Sequence, residues 1–239
     1  MPVLMSEYKF VIDPDTAVRI RDWARTRMER DPHGEGPFGD QYQTTSLYFD
    51  TDDHDVFHRR DSYGRSKYRV RRYDGLDFVF LERKLRTSSL LQKRRTQVPL
   101  DELALIGSLD PTWAGRWFDE RLALRHLRPI CQVTYRRVAR VSHTTYGPVR
   151  LTLDTDVRAL TQPRVGFVNS QGEAILHNRA VLELKFPVVF PALFKELVQD
   201  FRLSPARASK YRTAANQLGL VPEVHAAAVA IEVGGATYA

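Results

Sequence analysis

The stretch "SKYRVRRYDGLDFVFLERKLR", residues 66–86, decides how this chain folds. Reading every second position puts Lys67, Arg69 and Arg71 on one face of a strand. Beyond Asp74-Gly75, a hairpin-type turn signal, Glu82, Lys84 and Arg86 again share one face. In an ordinary half-buried sheet the face opposite the apolar one carries mixed polar residues. Here it carries Lys, Arg and Glu within strongly hydrophobic flanks, as in "VFLERKL".

The pattern recurs along the chain. "EYKFVI" at 7–12 pairs Glu7 with Lys9, "QKRRTQVPL" pairs Lys93 with Arg95, and "AVLELKFPV" pairs Glu183 with Lys185. "PICQVTYRRVARVSH" aligns Gln132, Thr134 and Arg136, and "GPVRLTLDTDV" aligns Arg150, Thr152 and Asp154. If these strands close into a barrel with those faces inward, the lumen holds about ten cations and a few carboxylates, costly to desolvate unless water and a polyanion fill it. A phosphate chain so held needs a divalent cation to offset charge, and carboxylate oxygens suit Mg²⁺ or Mn²⁺; Glu183, Glu7 and Glu82 are the candidates.

Between the strands lie helical signals. Asp13 can cap and Pro14 can open a helix in which Ala17, Ile20, Ala24 and Met28 recur at helical spacing. Residues 31–43 read as a loop, residues 101–127 as helical with Trp113, Trp117, Leu122 and Leu124, and "PALFKELVQDF" and "PARASKYRTAANQL" as helices. The class is α+β, mostly antiparallel, with one domain expected over residues 1–221 and the tail 222–239 unassigned.

Of 239 residues, 36 are Lys or Arg and 29 Asp or Glu, a net charge of +7 that favours polyanionic partners without choosing among nucleic acid, anionic lipid and phosphorylated small molecules. The single cysteine, Cys131, excludes an internal disulfide and a Cys-based zinc site and reads as a buried thiol. No signal-like opening and no run of about 18 apolar residues is present, so a soluble, cytoplasmic protein is expected. "DTDDHD" at 50–55 lacks the Gly and distal Glu of a calcium loop and reads as a capped acidic turn. Nucleic acid is not expected as a partner, because the cations of "KYRVRRY" fall on one strand face and the tyrosines do not.

The motifs "TSLYFDT", "RVRRY", "FLERK", "LRPICQVTYRR", "VRLTLDTDV", "AVLELKF" and "SKY" resemble, in this order, the VTC domain, the polyphosphate polymerase branch of the triphosphate tunnel metalloenzymes (the CYTH-like group). The resemblance spans residues 5 to 218 or so and implies an eight-stranded antiparallel β-barrel, the triphosphate tunnel fold, with flanking helices. It implies that Lys9, Arg69, Arg71, Lys84, Arg136, Arg150 and Lys185 line the phosphate path. Lys93, with Arg95 as its rival, fills the next-strand lysine position. Glu183 takes the metal-binding glutamate's place, and Ser209-Lys210 the C-terminal S-K-[FY] element, where Ser209 either touches phosphate or starts a helix. Met5 stands where the wider superfamily's E-x-E-x-K has its first glutamate, which fits the VTC branch better than a two-metal hydrolase.

The function so implied is a polyphosphate polymerase that transfers the γ-phosphate of ATP to a growing inorganic polyphosphate chain, with Mn²⁺ or Mg²⁺ as cofactor. The alternatives are a tunnel triphosphatase acting on inorganic or nucleoside triphosphate, and a non-catalytic polyphosphate-binding module. Coupling of synthesis to translocation would need a separate membrane partner.

Overall fold

A computed structural model describes residues 5–32, 34, 38–64, 66–86, 91–170 and 172–221. The unassigned tail 222–239 lies outside the described residues, as do the side chains of Arg86 and Leu91. In chain order the elements are β1 (Met5–Ile12), α1 (Pro14–Arg27), β2 (Glu29–Arg30), β3 (Gln41–Asp50), α2 (Asp55–His58), β4 (Lys67–Tyr73), β5 (Phe78–Arg86), β6 (Leu91–Pro99), α3 (Arg116–Leu124), β7 (Arg128–Thr144), β8 (Gly147–Thr161), β9 (Glu173–Ala174), β10 (Ala180–Pro187), α4 (Ala192–Asp200) and α5 (Lys210–Gln217).

The main path of the sheet has eight strands in the order β1-β10-β8-β7-β3-β4-β5-β6, every pairing antiparallel, with β2 and β9 as short additions to β7 and β8. The α+β class and the eight-stranded architecture expected from the sequence are thus present. The sheet curls until its two ends approach: Lys84 of β5 reaches Glu7 of β1 at 3.5 Å. Among the described residues β1 and β6 share no backbone ladder, so the barrel is nearly closed and its seam is bridged by side chains. Asp74 and Gly75 form the turn between β4 and β5, and Gly75 adopts φ 77°, which favours glycine there.

The apolar strand faces point outward, beneath helices. Phe10, Leu182, Leu184, Leu151 and Leu153 pack against Ile20, Trp23 and Ala24 of α1 and Phe194 and Leu197 of α4. Val70, Val79, Leu81 and Val98 lie in the second cluster, with Trp113, Trp117 and Phe118. Asp13 caps α1 by accepting from Thr16 N at 2.8 Å, with Pro14 in the first turn and Ala17, Ile20 and Ala24 buried, as their spacing implies. Asp40, fully buried, accepts from Arg25 of α1 (2.9 Å) and Arg140 of β7 (2.7 Å) and ties helix to sheet.

Two helical expectations are shortened. Residues 101–127 form a 3-10 turn at Asp101–Leu105 and, after Pro111, only α3; Leu124 is 68% exposed and contributes nothing to the core. The buried carboxylate of Asp119 holds the break by accepting from Gly107 N and Leu109 N, both at 2.8 Å. Near the C-terminus, residues 203–209 before α5 are not helical, and Ala206 N donates to Lys9 O at 2.7 Å, binding the segment to β1. The acidic turn at 50–55 is capped: Asp50 accepts from Thr51 N, Val56 N and Phe57 N at 2.8 Å each, and from Tyr211 Oη.

Because Phe194 is fully buried between α4 and the sheet, Phe194→Ala should cost about 3–5 kcal/mol of unfolding free energy. The 68%-exposed Leu124 offers a control, its Ala variant expected within about 0.5 kcal/mol of wild type. Urea titrations of the two variants test this; equal losses would contradict the assignment of the outer core.

Candidate functional site

Direct pairing across β4, β5 and β6 arranges the inner face in rows. Lys67, Lys84 and Lys93 stand opposite one another, as do Arg69, Glu82 and Arg95, and then Arg71, Phe80 and Gln97. β1 and β10 add Glu7 opposite Lys185 and Lys9 opposite Glu183. These rows enclose a cavity walled by ten Lys and Arg side chains and only three carboxylates, those of Glu7, Glu82 and Glu183.

The carboxylates fall into two groups. Glu183 binds Lys185 (2.6 Å) and Lys9 (3.1 Å), and Glu7 binds Lys9 (2.9 Å), Lys84 (3.5 Å) and Lys185 (3.8 Å). Glu82 binds Arg69 (2.6 Å), Arg95 (3.2 Å) and Lys93 (3.9 Å). The three glutamates expected as metal ligands therefore do not converge: among the described residues no group of three acidic, His or Cys side chains could hold an ion. Glu82 is committed to its cations, whereas Glu7 and Glu183 share Lys9 and form the only neighbouring pair of the three.

Electrostatics follow from this geometry. Burial opposes charge on Glu183, yet Lys185 and Lys9 hold its pKa well below the usual carboxylate value. For Glu82 burial is likewise overcome, by Arg69, Arg71 and Lys93, and the pKa falls to about 2. Lys9 loses to burial but gains more from Glu183 and Glu7, so its pKa is raised. Lys67 has no such compensation: burial, then Lys9, Arg69 and Lys84, push its pKa well below the ordinary lysine value. No carboxylate pairs with Lys67 among the described residues. Arg71 donates Nε to the Ser46 hydroxyl at 3.1 Å.

α5 reaches the inner side of the sheet. Ser209 caps it, accepting from Arg212 N at 3.5 Å, which supports the helix-start reading of that serine. Lys210 lines the cavity and reaches Asp154 at 2.5 Å, while Asp154 also accepts both Nε (2.6 Å) and Nη2 (2.8 Å) of Arg137. Tyr211 stacks on Tyr48, their ring centroids 5.3 Å apart, and its hydroxyl meets Asp50.

Of the expected path residues, Lys9, Arg69, Arg71, Lys84, Lys93, Lys185 and Lys210 line the cavity. Arg150 shares the inner face through its pairing with Lys185 but is held aside by Tyr42 Oη (2.9 Å) and Asp31 (2.8 Å). Arg95 lies with its guanidinium 3.4 Å from the Phe80 ring centroid, beside Glu82, so of the two rivals it is Lys93 that lines the cavity. Arg136 is a correction: it is exposed on the outer face, and the lumen position belongs to Arg137. From Gln132 to Arg137 β7 alternates, so Gln132, Thr134 and Arg136 do share a face, but the wrong one. Tyr73 is a second correction, since it lies on the inner face beside Tyr42; Tyr68, by contrast, is buried in the outer core. Sequence reasoning put Lys67 and Asp154 on the inward faces, through their spacing from Arg69 and Thr152, but gave neither a role, and it missed Arg137. Cys131 is buried as expected, and burial pushes its thiol up to about 12.

A family model for the VTC domain matches residues 4–218. The chain belongs to the VTC domain family. This VTC domain shares its fold with a candidate adenylate cyclase from Bacillus halodurans, at 16% identity and TM-score 0.52 over 85% of this chain and 92% of that one. It is similar too to a candidate adenylyl cyclase from Hippeastrum with a dominant triphosphatase activity, at 14% identity and TM-score 0.50 over 90% of this chain and 96% of that one. No curated protein matches the sequence.

Asp154 gives the VTC domain a pH signature. Burial is outweighed by Arg137 and Lys210, which lower its pKa from 3.8 to about 2 in the folded state. A depressed carboxylate stabilises above its unfolded pKa and loses that stabilisation as pH falls through the folded value. Asp154→Asn should therefore cost about 3–5 kcal/mol at pH 7, where it leaves Arg137 unpaired, and the deficit should shrink between pH 4 and pH 2. Urea midpoints of both proteins across that range measure it, and a deficit independent of pH would contradict the buried pairing.

Proposed function

We propose that this VTC domain is a metal-dependent polyphosphate polymerase working in the basic lumen. The observation that carries the reading is the row Lys67–Lys84–Lys93. Like charges directly opposite on adjacent strands destabilise a sheet; in this row Lys84 and Lys93 have one long ion pair each, to Glu7 (3.5 Å) and Glu82 (3.9 Å), and among the described residues no carboxylate pairs with Lys67. A chain of phosphates, one charge or more per unit, supplies what the protein lacks. Membership of the VTC family and the fold shared with a protein having triphosphatase activity support a triphosphate ligand.

Phosphoryl transfer asks the protein mainly for positioning and charge stabilisation. Arg69 and Arg71, adjacent on one strand face, would bind equatorial oxygens of the transferred γ-phosphoryl group. Lys67, Lys84 and Lys93 would hold the nucleotide's phosphates, and Lys9, Lys185 and Arg137 the growing chain. The terminal oxygen of the chain attacks the γ-phosphorus as the bond to the β,γ-bridging oxygen breaks; ADP leaves with that electron pair, and the chain is one unit longer. No side-chain nucleophile is required. Glu183 and Glu7 fit Mg²⁺ or Mn²⁺, which takes one or two carboxylates and completes its shell with phosphate oxygens and water. When bound, the ion would offset phosphate charge and polarise the phosphoryl group. Arg150 would serve at the margin of the lumen, steadied by Asp31 and Tyr42.

A second reading, hydrolysis of a triphosphate, draws on the Glu7–Glu183 pair around Lys9. In that case water would replace the chain end as nucleophile. The cytoplasm as compartment and a separate membrane partner for translocation belong to the proposal; no described helix is long and apolar enough to cross a membrane.

Purified protein given ATP with Mn²⁺ or Mg²⁺ should release ADP and build polyphosphate, resolved on gels. Arg71→Ala, which removes one transition-state donor, should lower the rate about 100-fold or more, and Glu183→Gln should abolish metal stimulation. Orthophosphate release without chain growth would replace the polymerase by the triphosphatase. Tight oligophosphate binding with no turnover in either metal would overturn both enzymes.

A further inference from the structure

Two arginine pairs straddle the wall of the lumen. Arg71 and Arg137 face inward, and their chain neighbours Arg72 and Arg136 emerge on the outer surface, in a separate groove of about 300 Å³. Over β1, β10 and β8 and beneath the Trp113–Phe118 region the outer sheet face is mainly apolar and covered by α1, α3 and α4. Here it is polar and open. Across β4, β3, β7 and β8 a single row runs Arg72, Thr45, Thr134, Arg158, and the next row sets Gln43 beside Arg136.

Three guanidinium groups from three strands thus surround a floor of hydroxyl and amide groups, with Thr134 Oγ1 and Thr45 Oγ1 3.3 Å apart. The far wall, residues 167–170, is fixed by Gln132, which donates to Val168 O (2.9 Å) and accepts from Val168 N (3.0 Å). Two carboxylates enter the groove, Asp74 and Asp156, and Asp156 is taken by Arg158 at 2.9 Å. Arg72 Nε is buried and has no hydrogen-bond partner among the described residues. Arg136 makes no ion pair among the described residues.

We propose that this outer groove is a second oxyanion site, for a free, multiply charged phosphate compound of the size of a short oligophosphate. Arginine is the side chain suited to two-point recognition of phosphate oxygens. Hydroxyl and amide donors between the guanidinium groups complete the shell of a tetrahedral anion. A volume of about 300 Å³ falls at the small end of ligand pockets and admits a few phosphoryl units rather than a large ligand. The site is independent of what the lumen does, since no side chain of the proposal except the neighbouring Tyr135 borders both cavities.

Equilibrium dialysis with labelled inorganic tripolyphosphate, in EDTA to prevent turnover, tests the assignment on the full chain. Wild type should bind two equivalents. Arg69→Ala/Arg71→Ala should retain one, and Arg72→Gln/Arg136→Gln should retain one, with circular dichroism verifying the fold of each. Should the lumen variant fail to fold, the drop from two to one in Arg72→Gln/Arg136→Gln alone decides. Excess citrate should leave the outer equivalent in place, and its displacement by citrate would overturn phosphate as the ligand class. A single equivalent lost with Arg69 and Arg71, or a second equivalent that survives Arg72→Gln/Arg136→Gln, would overturn the outer site. A single equivalent lost only with Arg72 and Arg136 would support it while refuting the lumen as the triphosphate site.

Discussion

Lys67, Lys84 and Lys93 face one another on three adjacent strands, and the rest of the inner surface is organised around that concentration of positive charge. Glu82 neutralises the neighbouring row, Glu7 and Glu183 the opposing edge, and Asp154 the end near α5. A flat sheet would leave each of these groups with solvent on one side. Curling brings the two edges of the sheet within reach, so that Lys84 meets Glu7 across the seam. Four carboxylates cannot balance all the cations, and burial makes the excess costly. The excess is the feature that selects a polyanionic ligand.

The outer surface solves the complementary problem. Each strand that sends Lys, Arg or Glu inward sends Val, Leu or Phe outward, and those residues need cover. α1 and α4 supply it on the side of β1, β10 and β8, and the Trp113–Phe118 region on the side of β4, β5 and β6. α5 differs from them in function: it is anchored to the inner side through Lys210–Asp154 and Tyr211–Asp50, joining the acidic turn to the lumen. Folding and ligand site are therefore built from the same period-two alternation, read on opposite faces.

That alternation is why so much was legible in the sequence. β4, β5 and β10 present their charges at spacing two, and Lys67, Arg69, Arg71, Glu82, Lys84, Glu183 and Lys185 line the lumen, while the side chain of Arg86 lies outside the described residues. The failures have physical causes. β7 carries adjacent arginines, which necessarily point to opposite faces, and nothing in their composition says that Arg137 rather than Arg136 faces in. β8 carries a bulge at Asp156, with φ 48°, that shifts its register against β7 between Thr134 and Arg136. The separation of Glu82 from Glu7 and Glu183 depends on which strands become neighbours, and strand order is not a local property. The 3-10 turn at Asp101–Leu105 needed Asp119, well over ten residues on, to cap the break.

On the proposed reading the phosphates of the substrate lie in the lumen, along the row of Lys67, Lys84 and Lys93, of which Lys67 has no carboxylate partner among the described residues. A crystal structure of the full chain with a non-hydrolysable ATP analogue and Mn²⁺ tests it most directly. Phosphate density between Arg69, Arg71, Lys67 and Lys84, with the metal beside Glu183, is the expected result. An analogue bound only on the outer surface, with the Glu82–Arg69 and Glu183–Lys185 pairs undisturbed in an empty lumen, would contradict it.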